Sequence, residues 1–119
     1  MNERGSATAE LALLVPLVLV LLLVVVEVSA AARTQIELVA AAREGVRVAA
    51  VNPDPARALA AARNALGSRG DDARIRVHRP HIVGRSAEVT VTLERHVSLP
   101  LLGKLSIPLR ARATMRVER

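Results

Sequence analysis

The sequence predicts an α+β protein: a long N-terminal transmembrane helix that continues out of the membrane, a second short helix, and then a three-stranded antiparallel sheet. Three observations predict it. An apolar run from Leu11 to Val26 is broken by no charge, a Pro-rich break follows at Asn52-Pro53-Asp54-Pro55, and beyond Ala73 the apolar residues recur with period 2 instead of 3.6. Element by element, the expected organisation is a leader at 1–5, a transmembrane helix at 6–32, a projecting continuation at 33–51 and a small α+β domain at 52–119.

The first element is set by length. Leu11 to Ala32 covers about 33 Å as helix, close to the hydrocarbon thickness of a bilayer, and its one charge, Glu27, lies near the far end. Pro16 removes one backbone donor in the early turns, which a lipid-embedded helix tolerates with a kink. A cleaved secretory signal ending near Ala30-Ala31-Ala32 is the alternative, but Glu10 falls where such a signal has its charged-to-apolar transition and Glu27 inside the region that should be uncharged. From Arg33 to Val51 no Gly-Pro punctuation interrupts the pattern, so the helix continues. Ile36, Val39, Ala40, Val46 and Ala50 are expected on its buried face, with Gly45 as the weakest point. Straight from Ser6 to Val51 it would reach about 69 Å, more than twice the bilayer core.

Asn52 precedes Pro53 and is pushed out of helical geometry, while Asp54 and Pro55 form an N-cap and first-turn pair for a helix at 55–66 that Gly67 ends. Leu59, Ala62 and Leu66 make its expected apolar side. Three strands are then marked by Ile75 and Val77, by Val89, Val91 and Leu93, and by the alternating set from Ile107 to Val117. Pro100 to Lys104 is expected to link the last two as a loop, and Pro108 means that the final strand either begins after it or lies at an edge. The simplest topology is a meander with helices on one face.

Composition restricts function. The chain has 119 residues, no Cys and no Phe, Trp or Tyr, so its small domain packs on aliphatic side chains without disulfides. Up to Val51 there are four Arg against five Glu; from Asn52 onward there are thirteen Lys and Arg against six Asp and Glu. The basic excess therefore lies outside the apolar segment. His78, His81 and His96 lack the Cys or carboxylate companions and the spacing of a metal site, so no metal and no cofactor is expected. Ser98 and Ser106 lack a supporting His-Asp arrangement, and no phosphate loop, His-Glu-x-x-His or nucleophile elbow is present, so the chain is not expected to be an enzyme.

Two sets of residues remain as candidate sites. In the first, Gly5 followed by Ser6 and, four positions on, by Glu10 reads as a processing and assembly signal. Cleavage after Gly5 would leave Ser6 as the amino terminus, and a neighbour's Glu10 would pair with that ammonium and fix the register between subunits. The bland reading of Glu10 is a carboxylate favoured by the helix macrodipole. Glu10, Pro16 and Glu27 are the positions expected to shape helix assembly, although Glu27 could also simply snorkel to the interface. In the second set, alternation puts Arg74, Arg76, Arg110, Arg112 and Arg116 on the face of the sheet opposite the core, with Thr90, Thr92 and Glu94 between them. Such a face is either solvated and partly neutralised by cross-strand Glu, or binds anionic wall polymer, lipid headgroups or DNA; nucleic acid is disfavoured because no aromatic is present for stacking.

The stretch Arg4-Gly5-Ser6-Ala7-Thr8-Ala9-Glu10-Leu11-Ala12-Leu13, with Val15-Pro16-Leu17, Val26-Glu27-Val28 and Ala40-Ala41-Ala42-Arg43-Glu44-Gly45-Val46-Arg47, resembles the TadE-like family of pilin-like proteins of tight-adherence (Flp-type) pilus systems. The resemblance covers about the first fifty residues. It implies cleavage by a prepilin peptidase on the cytoplasmic side and retention of the apolar helix in the cell membrane. It further implies an extracytoplasmic C-terminal domain that assists pilus biogenesis or a related secretion system alongside other pilin-like subunits. Flanking charge alone does not orient the chain, since Arg4 stands on one side and Arg33 on the other. The competing reading is a single-pass membrane or exported protein whose basic domain captures anionic polymer, lipid or DNA.

Overall fold

A computed structural model describes residues 3–99 and 102–118. The elements follow the order α1 (Glu3–Val51), α2 (Pro55–Leu66), a single 3-10 turn at Gly67–Arg69, β1 (Arg74–His78), β2 (Ser86–Leu99) and β3 (Gly103–Arg116). The expected layout is therefore the observed one: a long apolar helix, a short helix and a three-stranded antiparallel sheet. The chain divides into two compact units, Met1–Ala32 and Arg33–Arg119.

The first unit is helical throughout its described residues, and most of its large apolar side chains are exposed, Leu23 being half-buried. Leu13, Leu19 and Val28 are 78%, 60% and 62% exposed. Hydroxyls within it are satisfied locally: Thr8 donates to the Arg4 carbonyl and Ser29 to the Val25 carbonyl, both at 2.7 Å. That back-bonding leaves neither hydroxyl in need of water. The helix is long and apolar enough to cross a membrane.

In the second unit one core joins the later part of α1, α2 and one face of the sheet. The buried positions of α1 are Thr34, Leu38, Ala41, Ala42, Gly45, Val46, Ala49 and Ala50, a stripe spaced by three and four residues. This corrects the expected face. Val46 and Ala50 belong to it, but Ile36 is 69% exposed and Ala40 is exposed too, while Val39 is only half-buried. The reason is close approach. A Cβ on Gly45 would lie 3.0 Å from Ala62 Cβ, 3.1 Å from Val89 Cγ1 and 3.4 Å from the Ala58 carbonyl oxygen. Small residues are buried because α2 and β2 come too near to admit large ones, so Gly45 is the contact point of the helix and not a flaw in it.

The same geometry shifts the buried side of α2 to Ala58, Ala62 and Leu66, leaving Leu59 half-buried. Its ends match the sequence expectation. The Asp54 carboxylate accepts from the Ala56 N–H at 3.0 Å, Pro55 opens the first turn, and Gly67, at φ +60°, closes the last with its N–H on the Asn64 carbonyl. At the end of α1 three carbonyls find separate donors: Val48 from the Asn52 N–H, Ala49 from Arg79 Nε at 2.7 Å, and Ala50 from the Glu118 N–H at 2.8 Å.

The sheet is the expected meander, in order β1-β2-β3. Ala87, Val89, Val91 and Leu93 of the central strand are buried, while Ile75 and Val77 of β1 are half-buried. Ile107 and Met115, expected inside, are exposed. Strands β2 and β3 run much further than the apolar alternation implied, pairing from Ser86 with Arg116 to Leu99 with Gly103. Backbone pairing needs no apolar side chain, so the ladder outlasts the core. Gly103 and Lys104 thus belong to β3, and Pro100 and Leu101 of the expected loop lie outside the described residues. Pro108 sits inside β3, which is an edge strand, so a missing N–H costs the ladder nothing on the open side.

Candidate functional site

Two places carry the residues singled out in the sequence, one in each unit. In the first, Gly5 and Ser6 lie in the first described turn of α1 (Glu3–Val51). Gly5, Ser6 and Glu10 are all exposed. Pro16 lies within α1, and Glu27 is half-buried one turn before Ala31.

In the second unit the register assembles arginines from separate strands. Arg74 pairs with Thr92 and Thr92 with Arg110; in the next row Arg76 pairs with Thr90 and Thr90 with Arg112. These four arginines, with Glu88, line a shallow hollow of about 560 Å³ on the sheet face away from the core. Arg116, expected with them, stands opposite Ser86 and does not line it. Glu94, expected between the arginines, is opposite Pro108; the acid that meets them is Glu88, 3.4 Å from Arg112 Nε.

Sequence reasoning missed the long-range side-chain ties to α1 made by Arg69, Gln35 and Arg79. Arg69, from the 3-10 turn, donates to the buried Thr34 hydroxyl at 3.1 Å and pairs with Glu37. Gln35 donates to the Arg110 carbonyl at 2.8 Å, and Arg79 reaches Ala49 as described. Each joins residues at least 30 positions apart, and no local pattern signals such a pair. Among the described residues no group of three or more His, Cys, Asp or Glu is placed to hold a metal ion.

Residues 5–47 match the family model described as TadE-like protein. The match begins at Gly5 and takes in Glu10, Pro16, Glu27 and Gly45, so it covers the apolar segment and most of the small-residue stripe. It ends before α2 and the sheet. A TadE-like match points to a pilin-like protein associated with pili, a class whose members generally have structural or assembly roles rather than catalytic ones. No curated protein and no solved structure matches the chain.

Proposed function

We propose that the protein is a TadE-like minor pilin or pseudopilin that assists biogenesis of a Flp-type pilus or a related secretion system. A prepilin peptidase cuts after Gly5, Ser6 becomes the amino terminus, and the apolar helix is kept. In this reading the leader faces the cytoplasm, the helix crosses the cell membrane once, and the sheet domain is extracytoplasmic. Assembly proceeds by helix packing with other pilin-like subunits, without a cofactor.

The observation that carries the reading is the pairing of a TadE-like match starting at Gly5 with a helix whose large aliphatic side chains from Leu11 to Val28, Leu23 excepted, are exposed. Such a surface calls for lipid or for neighbouring helices. Within a bundle of that kind Glu10 would be expensive alone, and a neighbour's new ammonium neutralises it and sets the axial register.

N-terminal sequencing of protein isolated from its native host tests the proposal. A start at Ser6 is expected; a start at Met1 means a plain anchor, and a start near Arg33 means secretion, either of which refutes it. Gly5→Leu is expected to abolish maturation, whereas Glu10→Ala leaves cleavage intact and impairs assembly. Normal assembly by the Glu10 variant would remove the pairing role.

A further inference from the structure

The arginine rows lie in the second unit, outside the TadE-like match, and nothing in the pilus reading requires them. Two residues along a strand span about 6.8 Å and two strand spacings about 9.6 Å, so four guanidinium groups stem from a patch of roughly those dimensions. Arg74, Arg76, Arg110 and Arg112 are all exposed, and Thr90 and Thr92 put hydroxyls between them. Among the described residues the ion pair lining the hollow is Arg112 with Glu88; Thr90 Oγ1 also lies 3.5 Å from Glu88 Oε1. Within the hollow one carboxylate stands against four guanidinium groups, and Asp72 and Glu94 line the adjoining hollow with Arg74 alongside Arg69 and Arg95, so the balance stays positive. Folding does not need this, since the opposite face of the sheet makes the core and a mixed-charge outer face would serve as well.

We infer that this hollow is a binding site for a flexible polymer carrying phosphate groups. Guanidinium forks match phosphate oxygens two at a time, and the threonine hydroxyls supply further donors in the middle of each row. The two rows offer successive positions for successive anionic groups. The apolar residue that lines the hollow, Val77, is half-buried, and the rows themselves are Arg and Thr, so the site offers no exposed apolar side chain to insert into a bilayer. The chain has no aromatic residue on which a nucleobase could stack. A phosphate chain without bases or acyl tails is the ligand that these side chains suit.

The experiment uses the full chain in nanodiscs of zwitterionic lipid, titrated with long-chain inorganic polyphosphate. With four phosphates neutralised, affinity is expected to fall about 50-fold between 50 and 200 mM salt. Removing one row, Arg74→Gln with Arg110→Gln, reduces that salt dependence to about sevenfold and weakens binding at low salt. Arg57→Gln with Arg63→Gln removes the same charge from exposed positions of α2 outside the hollow and is expected to change affinity much less. An equal loss in both double variants would reduce the effect to net charge and overturn the site. No binding of polyphosphate at 50 mM salt would overturn it outright, as would row-dependent binding to anionic lipid vesicles in place of polyphosphate. Glu88→Gln supplies a check in the other direction, because removing the competing carboxylate should tighten binding.

Discussion

One helix behaves in two opposite ways along its length. Between Leu11 and Val28 the large aliphatic residues of α1 are exposed, with Leu23 alone half-buried, whereas between Thr34 and Ala50 the buried positions are mostly Ala and Gly and the large Ile36 points outward. Hydrophobic size and burial are thus uncoupled. In the first stretch the surface is suited to lipid or to neighbouring helices, for which bulk and apolarity suffice. In the second the surroundings are protein packed at crystal-like density, where shape decides what fits. The difference teaches that the count of apolar atoms selects the medium, and the smallness of side chains selects the contact.

A matched pair of truncations should separate the two regimes most widely. Leu38 is fully buried, so Leu38→Ala is expected to destabilise the second unit by about 3 kcal/mol, from lost transfer energy and the cavity left behind. Leu19 is 60% exposed, and Leu19→Ala is expected to leave the unfolding of that unit unchanged. Denaturant unfolding of both variants in the same detergent, followed by circular dichroism, gives the comparison. Similar losses would mean that the two stretches of α1 do not differ as their exposures imply.

A smaller effect tests shape itself. Gly45→Val adds three carbons where even a Cβ meets Ala62 and Val89 at 3.0 and 3.1 Å, and should cost about 2 kcal/mol. Gly45→Ala gains about 1 kcal/mol of helix propensity, yet its Cβ faces an Ala62 Cβ that is fixed to a helix and cannot turn aside. The net is expected to be a loss. A rise in stability for Gly45→Ala would show that α1 and α2 have room to part, and would dissolve the claim that close approach chose the small residues.

How much of this was legible beforehand follows the range over which each feature is determined. The α2 boundaries were readable because Asp54, Pro55 and Gly67 act on their own neighbours. The meander and the arginine rows followed from alternation and from a central β2, and only Arg116 and Glu94 fell out of place. The buried face of α1 was misjudged, because Ile36, Val39 and Ala40 are a plausible stripe until Ala58, Ala62 and Val89 are known to sit against the opposite one. The length of the β2–β3 ladder was missed for a related reason: backbone pairing beyond Leu93 leaves little mark in the side-chain pattern. The spacing of Gly5, Ser6 and Glu10 is a property of the chain itself and falls inside the family match, and its role belongs to the proposed function.

The smallest expected effect marks the boundary between the local and the long-range parts of the fold. Asp54→Ala removes the carboxylate that accepts from the Ala56 N–H at 3.0 Å, and leaves that donor to water at an exposed helix end. A loss of about 1 kcal/mol is expected, with Asp54→Asn retaining most of the stability because its amide oxygen caps equally well. Both variants are measured by the same unfolding experiment as Leu38→Ala. Should Asp54→Ala cost as much as Leu38→Ala, α2 would be held chiefly by its cap, and the small-residue contact through Gly45, Ala58 and Ala62 would be a consequence of α2 forming where it does instead of the reason that it stays there.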